Sequence, residues 1–343
     1  MAVLFNRHRS IASPALAPAQ PREADGLANR RQANDAIISI GLINSMPDSA
    51  LQTAERQFTG LLQAAAGQHR IHLHCFSLPS VKRSQQAKQL MQGRYRDIAD
   101  LGRLHFDGLI VTGAEPMADA LPDEPFWKEL TDVIDWAKAN TRSAIWSCLA
   151  AHAAVLHLDS IERHRLDAKC SGVYDCVKAS DDSLTKGLKS SIKVPHSRLN
   201  ALRKSDLTAS GYQILTESPQ AGVDIFVKQL HSRFLFLQGH PEYEALSLQR
   251  EYLRDITRYL SRQRHDFPVP PAGYFDRATE NKLANYRKRA IAERAIPLSV
   301  ELPKLTLRPG LAFGEVASVI FRNWLGYLSE GVKPCASASH PSL

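Results

Sequence analysis

Three side chains that could cooperate in covalent catalysis follow apolar runs of this 343-residue chain. Cys148 comes directly after the run 143–147, and His240 and Glu242 come after the run 233–239. A cysteine needs a base to become a thiolate near neutral pH, and a histidine needs a partner that holds its tautomer and stabilises its charge. The pattern therefore predicts Cys148 as a nucleophile, His240 as its general base and Glu242 as the group that supports the base.

The alternation of strands and helices predicts where these side chains lie. Apolar, β-branched runs predict strands, and apolar residues at spacings of three and four predict helices. The predicted strands are 36–43, 71–76, 106–113, 143–147, 211–216, 222–228 and 233–239, and the predicted helices are 50–65, 122–140 and 244–260. This order predicts an α/β fold, a doubly wound and mostly parallel sheet with helices on both faces, in which 211–216 and 222–228 are antiparallel. Ligands of such sheets bind beyond the carboxyl ends of the strands.

Two local features bear on the candidate site. A strand followed at once by a small-residue helix start predicts a sharp turn that pushes Cys148 outward over the edge of the sheet. In the predicted helix 122–140, Asp123 and Glu124 are expected in the first turn, the end at which a helix dipole favours acidic side chains.

Composition narrows the class of protein. At 44% hydrophobic and 23% charged residues the chain is typical of a globular protein, and no apolar run approaches the ~18 residues of a membrane-spanning helix. Five cysteines without a CxxC pair predict free thiols in the cytoplasm, and neither a disulfide framework nor a metal site. A net charge of +8, carried by scattered Lys and Arg, predicts a solvated basic surface and no nucleic-acid partner.

The predicted domain organisation has three parts. Residues 1–35 are rich in Ala, Pro and Arg without periodicity, which predicts a flexible tail. Residues 36–265 are predicted to form a catalytic α/β domain. Residues 266–343 are predicted to form a C-terminal helical segment and tail packed on the same domain.

From about residue 38 to about residue 328, the chain resembles the homoserine O-acyltransferase family of the MetA type, often called homoserine O-succinyltransferases. Its segments, in order, are INSMPDSALQTAERQF, FDGLIVTGAEP, WSCLAAHAAVLH, KCSGVYD, VPHSR, QGHPEYEALSLQREYLRD and NWLGYL. The resemblance implies a class I glutamine amidotransferase-like (flavodoxin-like) fold. It implies the same nucleophile, base and supporting carboxylate as the residue types do, and it implies substrate contacts at Lys169, Ser197 and Arg254.

The implied reaction is a ping-pong acyl transfer in methionine biosynthesis. The Cys148 thiolate takes the acyl group of an acyl-CoA, and the resulting thioester passes it to the hydroxyl of L-homoserine. Backbone N–H groups of Leu149, Gly113 and Ala114 are predicted to stabilise the oxyanion. Acyl-CoA serves as co-substrate, no cofactor or metal is expected, and the resemblance implies a homodimer.

Departures from the family pattern leave the acyl donor and the acceptor open. The family has MPKK where this chain has Met46-Pro47-Asp48-Ser49, and Met117 occupies the position at which the family's Glu implies acetyl and its Gly implies succinyl. Met117 is uncharged, and Arg198 is a candidate partner for a succinyl carboxylate, so succinyl is slightly favoured over acetyl. The acidic Asp48 keeps another hydroxy amino acid, such as serine, as an alternative acceptor.

Two rival functions remain from the sequence. A glutamine amidotransferase-like hydrolase would use the same three residue types, but it would prefer glycines on both sides of the nucleophile, where this chain has Trp146 and Ala150. The other rival is a non-catalytic binding or regulatory protein that keeps the fold.

Overall fold

The computed structural model describes residues 3–5, 37–292, 302–311 and 314–330. Its strands are β1 Val3–Phe5, β2 Ile37–Ile43, β3 Arg70–Phe76, β4 Tyr95–Arg96, β5 Gly108–Val111, β6 Ser143–Ser147, β7 His164–Lys178, β8 Ser191–Ala201, β9 Gln213–Ser218, β10 Gly222–Gln229 and β11 Arg233–Leu237. Its helices are α1 Asp48–Ala65, α2 Gln85–Met91, α3 Trp127–Asn140, α4 Leu149–Asp159, α5 Lys204–Ala209, α6 Ser247–Leu260, α7 Arg277–Ala292 and α8 Glu315–Ser329. The predicted α/β class is confirmed.

The chain divides into two compact units. Unit 1 comprises 1–154, 229–235 and 320–343, and unit 2 comprises 155–228 and 236–319. The predicted tail, 1–35, lies outside the described residues except for β1, which forms a parallel strand against β3. No helix among the described residues is both long enough and apolar enough to cross a membrane.

Unit 1 contains a parallel sheet in the order β1-β3-β2-β5-β6, and β4 pairs with the last two residues of β3. Strands β5 and β6 are buried along their whole length, as expected of parallel strands covered on both faces. Helix α1 buries the face that carries Leu51, Phe58 and Leu62. The sheet therefore presents the carboxyl end of β6, where Cys148 begins the next segment, from a rigid apolar core.

The helix α8 packs closely in the same unit. A Cβ on Gly108 would lie 2.7 Å from both Leu328 Cδ1 and Trp324 Cζ2, so glycine is required for this close approach. The indole Nε1 of Trp324 donates a hydrogen bond of 2.9 Å to Ser143 Oγ. This contact satisfies the one polar atom of a fully buried indole.

Unit 2 is antiparallel. Its strands follow the order β10-β9-β7-β8, and the long strands β7 and β8 pair along most of their length, with Ser171 opposite Ser197. Helices α6 and α7 bury a cluster rich in tyrosine and phenylalanine: Leu248, Tyr252, Ile256, Tyr259, Phe267, Tyr274, Phe275, Leu283, Tyr286 and Ala290. Helix α6 thus has one buried face, and the opposite side carries charged residues.

Candidate active site

Cys148 lies in a strained turn between β6 and α4. Its φ is +52°, in the left-handed region that costs a non-glycine residue free energy and is frequent at functional sites. The backbone N–H groups of Ala151 and His152 donate to the Cys148 carbonyl at 3.0 and 3.2 Å, so the first turn of α4 starts at this residue. The thiol is half-buried. The sharp turn expected from the sequence is present, and it is made by the backbone of Cys148 itself.

Gly113 lies beside this turn in unit 1. A Cβ on Gly113 would lie 3.3 Å from Leu149 N and 3.6 Å from Cys148 Cβ. The backbone N–H of Leu149, the first residue of α4, has no carbonyl partner within its own helix. Two of the three predicted oxyanion residues are thus adjacent to Cys148, and Ala114 is the next residue after Gly113 in the same loop.

The loop that carries Met117 is held by a buried acid. The carboxylate of Glu124, which is 3% exposed, accepts hydrogen bonds from the backbone N–H groups of Met117 and Ala118 at 2.8 and 3.0 Å. The expected helix start was wrong, because α3 begins at Trp127 and Glu124 has an extended ψ of 137°. Pro125 follows Glu124, and a residue before proline is excluded from the helical region. The Met117 side chain itself is 67% exposed.

His240 and Glu242 form a buried pair in unit 2. His240 Nδ1 lies 2.8 Å from Glu242 Oε1, and both side chains are at most 9% exposed. A carboxylate can only accept, so Nδ1 carries the proton and Nε2 of the neutral ring keeps its lone pair. The imidazole also stacks on the Tyr243 ring with centroids 4.2 Å apart, and the His240 backbone N–H donates to Pro195 O at 2.7 Å. The ring is therefore oriented and in the tautomer that a general base requires.

The three predicted substrate-binding residues meet around two carboxylates of α6. Lys169 Nζ lies 2.9 Å from Asp255 Oδ2 and 3.6 Å from Glu251 Oε2. Ser197 Oγ donates to Glu251, and Arg254 Nη2 lies 3.1 Å from Asp255 Oδ1. Burial raises the pKa of Asp255, but Lys169 and Arg254 outweigh it, so the net pKa lies below the ordinary value. Arg264 Nη1 also lies 3.5 Å from Asp255 Oδ2, and the Tyr243 hydroxyl donates to Glu251, so three cations and two hydroxyls surround the two carboxylates.

Glu251 and Asp255 contact the predicted substrate-binding residues and were not predicted from the sequence. Both lie in the segment EYLRD, and the spacing 251, 254, 255 places them with Arg254 on one side of a helix. That spacing was readable from the sequence once α6 was predicted. What could not be read is their pairing with Lys169 on β7, since the contact spans 86 positions.

Two residues that suggested altered specificity have internal roles. The Asp48 carboxylate accepts from the Ser84 backbone N–H at 2.8 Å and lies 3.4 Å from Arg83 Nη1. The Arg83 guanidinium places a positive charge beside the segment at which the family has lysines, and it pairs with Asp48. Asp48 therefore adds no isolated negative charge. Arg198 is 5% exposed and donates to the carbonyls of Asn200 and Ala221, so its guanidinium has internal partners, and its contact with a succinyl carboxylate stays a prediction.

A further cluster lies in unit 2. Among the described residues, Cys176, His196 and Asp224 form a group whose ligand-type atoms all lie within 4.8 Å of one another, and all three are fully buried. No metal site was predicted from the sequence, and these three residue types are ones that zinc accepts.

Comparison with known proteins assigns the family. The family model described as homoserine O-succinyltransferase matches residues 25–334. The homoserine O-succinyltransferase of Bradyrhizobium japonicum is 56% identical over 96% of this chain and 100% of its own length. That of Rhodopseudomonas palustris is 53% identical over 95% of this chain and 98% of its own.

Solved structures with a similar fold are much more distant in sequence. A glutamine amidotransferase from Thermotoga maritima is 12% identical, with a TM-score of 0.48, over 85% of this chain and 98% of its own. A glutamine amidotransferase from Methylobacillus flagellatus is 12% identical, with a TM-score of 0.44, over 84% and 94%. The family model and the two sequence relatives span nearly the whole chain, and the chain therefore belongs to the homoserine O-succinyltransferase family.

Proposed function

We propose that this chain transfers a succinyl group from succinyl-CoA, through a thioester on Cys148, to the hydroxyl of L-homoserine. The observation that carries the proposal is the turn at Cys148, whose φ of +52° holds a half-buried thiol at the start of a helix. A structural cysteine gains nothing from such strain, whereas a nucleophile gains exposure and backbone N–H groups directed at the reacting carbonyl. Membership of the family supports the reaction class.

In the first half-reaction His240 Nε2 takes the proton of the Cys148 thiol. The thiolate forms a bond to the succinyl carbonyl carbon, and the oxyanion accepts hydrogen bonds from the N–H groups of Leu149 and the Gly113 turn. The carbon–sulfur bond to coenzyme A then breaks, and the leaving thiolate takes the proton back from His240. Glu242 stabilises the transient imidazolium through Nδ1.

In the second half-reaction the homoserine hydroxyl gives its proton to His240 as its oxygen attacks the thioester. An ester bond forms, the Cys148 thiolate leaves, and the imidazolium returns the proton to it. The reaction needs no redox or metal step. The product, O-succinylhomoserine, carries succinate as a leaving group on its γ-carbon. A sulfur nucleophile can replace this group on the way to methionine.

The acceptor is a zwitterion, and the group around α6 suits one. Arg254 is 38% exposed in its side chain, so its guanidinium can still pair with a carboxylate, and Lys169 adds a second cation. Glu251, whose carboxylate has one cation partner, Lys169 at 3.6 Å, supplies negative charge for the ammonium. The charge balance of this group favours an amino acid over a neutral alcohol.

Succinyl is preferred over acetyl for two reasons. Both relatives carry the name homoserine O-succinyltransferase. Met117 is exposed and uncharged, so it does not repel the free carboxylate of a succinyl group. The ion pair of Asp48 with Arg83 supports homoserine as the acceptor, because Asp48 then adds no unpaired acidic charge, and serine stays the alternative. The homodimer stays a prediction.

Intact-protein mass spectrometry tests the proposal. The protein is incubated with succinyl-CoA or acetyl-CoA without acceptor, and then with homoserine or serine. We expect a succinyl increment that maps to Cys148 by peptide analysis and disappears on addition of homoserine. No adduct from either donor, in protein shown to be folded, would overturn the proposal, and glutaminase activity would then favour the amidotransferase alternative.

A further inference from the structure

Beneath the backbone of Gly239 and His240, unit 2 contains a buried row of polar side chains. Arg198 Nε donates to His196 Nδ1 at 3.4 Å, and His196 Nε2 lies 3.4 Å from Asp224 Oδ1. The second carboxylate oxygen of Asp224 accepts from Thr216 Oγ1 at 2.8 Å. His196 and Asp224 are both 0% exposed, so neither can exchange these contacts for water.

The same cluster has the composition of a metal site, but its hydrogen bonds argue against one. Cys176, His196 and Asp224 are residue types that zinc accepts. Because Nδ1 of His196 accepts a hydrogen bond from Arg198, the proton of the neutral ring is on Nε2, the atom that faces Asp224 and would have to bind the metal. Burial also raises the pKa of the Cys176 thiol, which opposes the thiolate form. The row is a buried polar array, in which His196 Nε2 faces Asp224 Oδ1 at 3.4 Å.

The array touches the backbone that carries His240. A Cβ on Gly239 would lie 2.5 Å from Asp224 Oδ1 and 2.9 Å from His196 Cε1, so Gly239 rests directly on the pair. On either side of Gly239, the Gln238 N–H donates to Asp224 O at 2.9 Å and the His240 N–H donates to Pro195 O at 2.7 Å. Three consecutive residues are therefore fixed by β8 and β10.

We propose that Asp224 and His196 are positioning residues for His240, acting through the close approach of Gly239. The inference rests on the proposed role of His240 as general base. Asp224 Oδ1 and the His196 ring face each other at 3.4 Å and both lie against Gly239, so removal of the Asp224 carboxylate lets the ring shift and the peptide above it follow. A displacement of about 1 Å in a reacting group can cost about 100-fold in rate, so a small movement of His240 is enough to be measured.

Two pairs of variants separate positioning from general stability. Gly239→Ala leaves every functional group in place but inserts a methyl group into the array, and Gly60→Ala, at a helical glycine with open space around it, is its control. Asp224→Ala removes the carboxylate that faces Gly239, and Thr216→Val removes a hydrogen bond on the opposite oxygen. Asp224→Asn, which keeps the shape of the side chain, serves if Asp224→Ala does not fold.

The measurements are steady-state kinetics and the pH dependence of Cys148 alkylation by iodoacetamide. We expect Gly239→Ala and Asp224→Ala to lower kcat at least about tenfold, with the KM for homoserine within about twofold of wild type. Gly60→Ala and Thr216→Val should keep kcat within about twofold even where Thr216→Val lowers the Tm. The alkylation profile of the first two variants should move toward that of His240→Ala.

The alkylation assay distinguishes failure of this inference from failure of the proposed function. If His240→Ala alters the alkylation profile but Gly239→Ala and Asp224→Ala do not, the positioning role is overturned and the proposed base stands. If His240→Ala itself leaves the profile unchanged, the proposed base is wrong. Stoichiometric zinc in the purified wild-type protein, absent from Cys176→Ser, would show that the cluster is a metal site and not a buried polar array.

Discussion

The Cys148 turn and the His240 segment hold their side chains by different means. Cys148 is placed by local backbone geometry, a single left-handed residue between a buried strand and a helix. His240 is placed partly by its near neighbour Glu242 and partly by contacts from distant parts of the chain, the Pro195 carbonyl and the array under Gly239. The first arrangement depends on the residues beside Cys148 in sequence, and the second depends on the packing of β8 and β10. The nucleophile should therefore be sensitive to substitution of itself, and the base to substitutions far from it.

The largest effect is expected at the nucleophile. Cys148→Ala should abolish the acyl-enzyme and lower kcat/KM by at least about 10⁴-fold, since loss of a nucleophile removes the whole covalent route. Cys170→Ala is the matched control, because Cys170 is also half-buried and its thiol is free. It should keep near wild-type activity. Intact mass after incubation with succinyl-CoA checks both variants, and an adduct that persists in Cys148→Ala would disprove the nucleophile.

The base and its support should differ in size of effect. His240→Ala should lower kcat by about 10³- to 10⁴-fold, because it removes the proton acceptor in both half-reactions. Glu242→Gln should cost less, about 10²-fold, because the ring remains but loses the carboxylate that stabilises its charge. Pre-steady-state rates of coenzyme A release measure the two variants on the same step. A larger loss in Glu242→Gln than in His240→Ala would contradict the assigned roles.

Two buried aspartates of unit 2 should respond to pH in opposite senses. Burial raises the pKa of Asp224 from 3.8 to about 6, although hydrogen bonds from Thr216 and the charge of Arg198 oppose the shift. The folded state binds this proton more tightly than the unfolded chain, so the stability that it contributes is present below pH 3.8 and is lost as the pH rises toward 6. The pKa of Asp255 lies below the ordinary value, because Lys169 and Arg254 outweigh burial. Its contribution is present above that ordinary value and is lost as the pH falls through the folded pKa.

Urea unfolding between about pH 3 and pH 8 checks these signs. As the pH rises from 3.8 to about 6, the free energy of unfolding of Asp224→Asn should increase relative to that of wild type. The loss of unfolding free energy caused by Asp255→Asn should be constant near neutral pH and should become smaller below pH 3.8. Parallel pH profiles for the two variants would show that the electrostatic environments assigned to the two carboxylates are wrong.

The two units also differ in how well their sequence predicted them. Strands β2, β3, β5 and β6 of unit 1 were predicted within a few residues, because strands of a covered parallel sheet are continuous apolar runs. The hairpin β7–β8 was missed, although β7 is 15 residues long. Its residues are mostly exposed or half-buried, so the sequence carries charged and polar residues throughout and shows no clear alternation.

The same difference applies to the candidate site. Cys148, His240 and Glu242 were identified because each follows a predicted strand and belongs to a residue type with known chemistry. Other polar residues of unit 2 were not predicted: Glu251, Asp255 and the His196–Asp224 pair meet their partners through contacts between elements that no periodicity connects. Asp224 is a buried acid inside an apolar strand, and its only signal in the sequence was one charge where the pattern predicts an apolar residue.

The smallest effect is expected at Met117, where the quantities compared are the kcat/KM values for two acyl donors. Its side chain is 67% exposed while its backbone is fixed by Glu124, so a substitution should change the chemistry of the loop without moving it. Met117→Glu should lower kcat/KM for succinyl-CoA about three- to fivefold through repulsion of the succinyl carboxylate, a solvent-screened interaction worth at most about 1 kcal/mol. For acetyl-CoA the value should be unchanged, and Met117→Gln, which has the same shape without the charge, should affect neither donor. The ratio of the two kcat/KM values measures the effect free of changes in folding. If Met117→Glu lowered both values equally, Met117 would be a packing residue of the loop, and the preference between donors would have to come from elsewhere in the site.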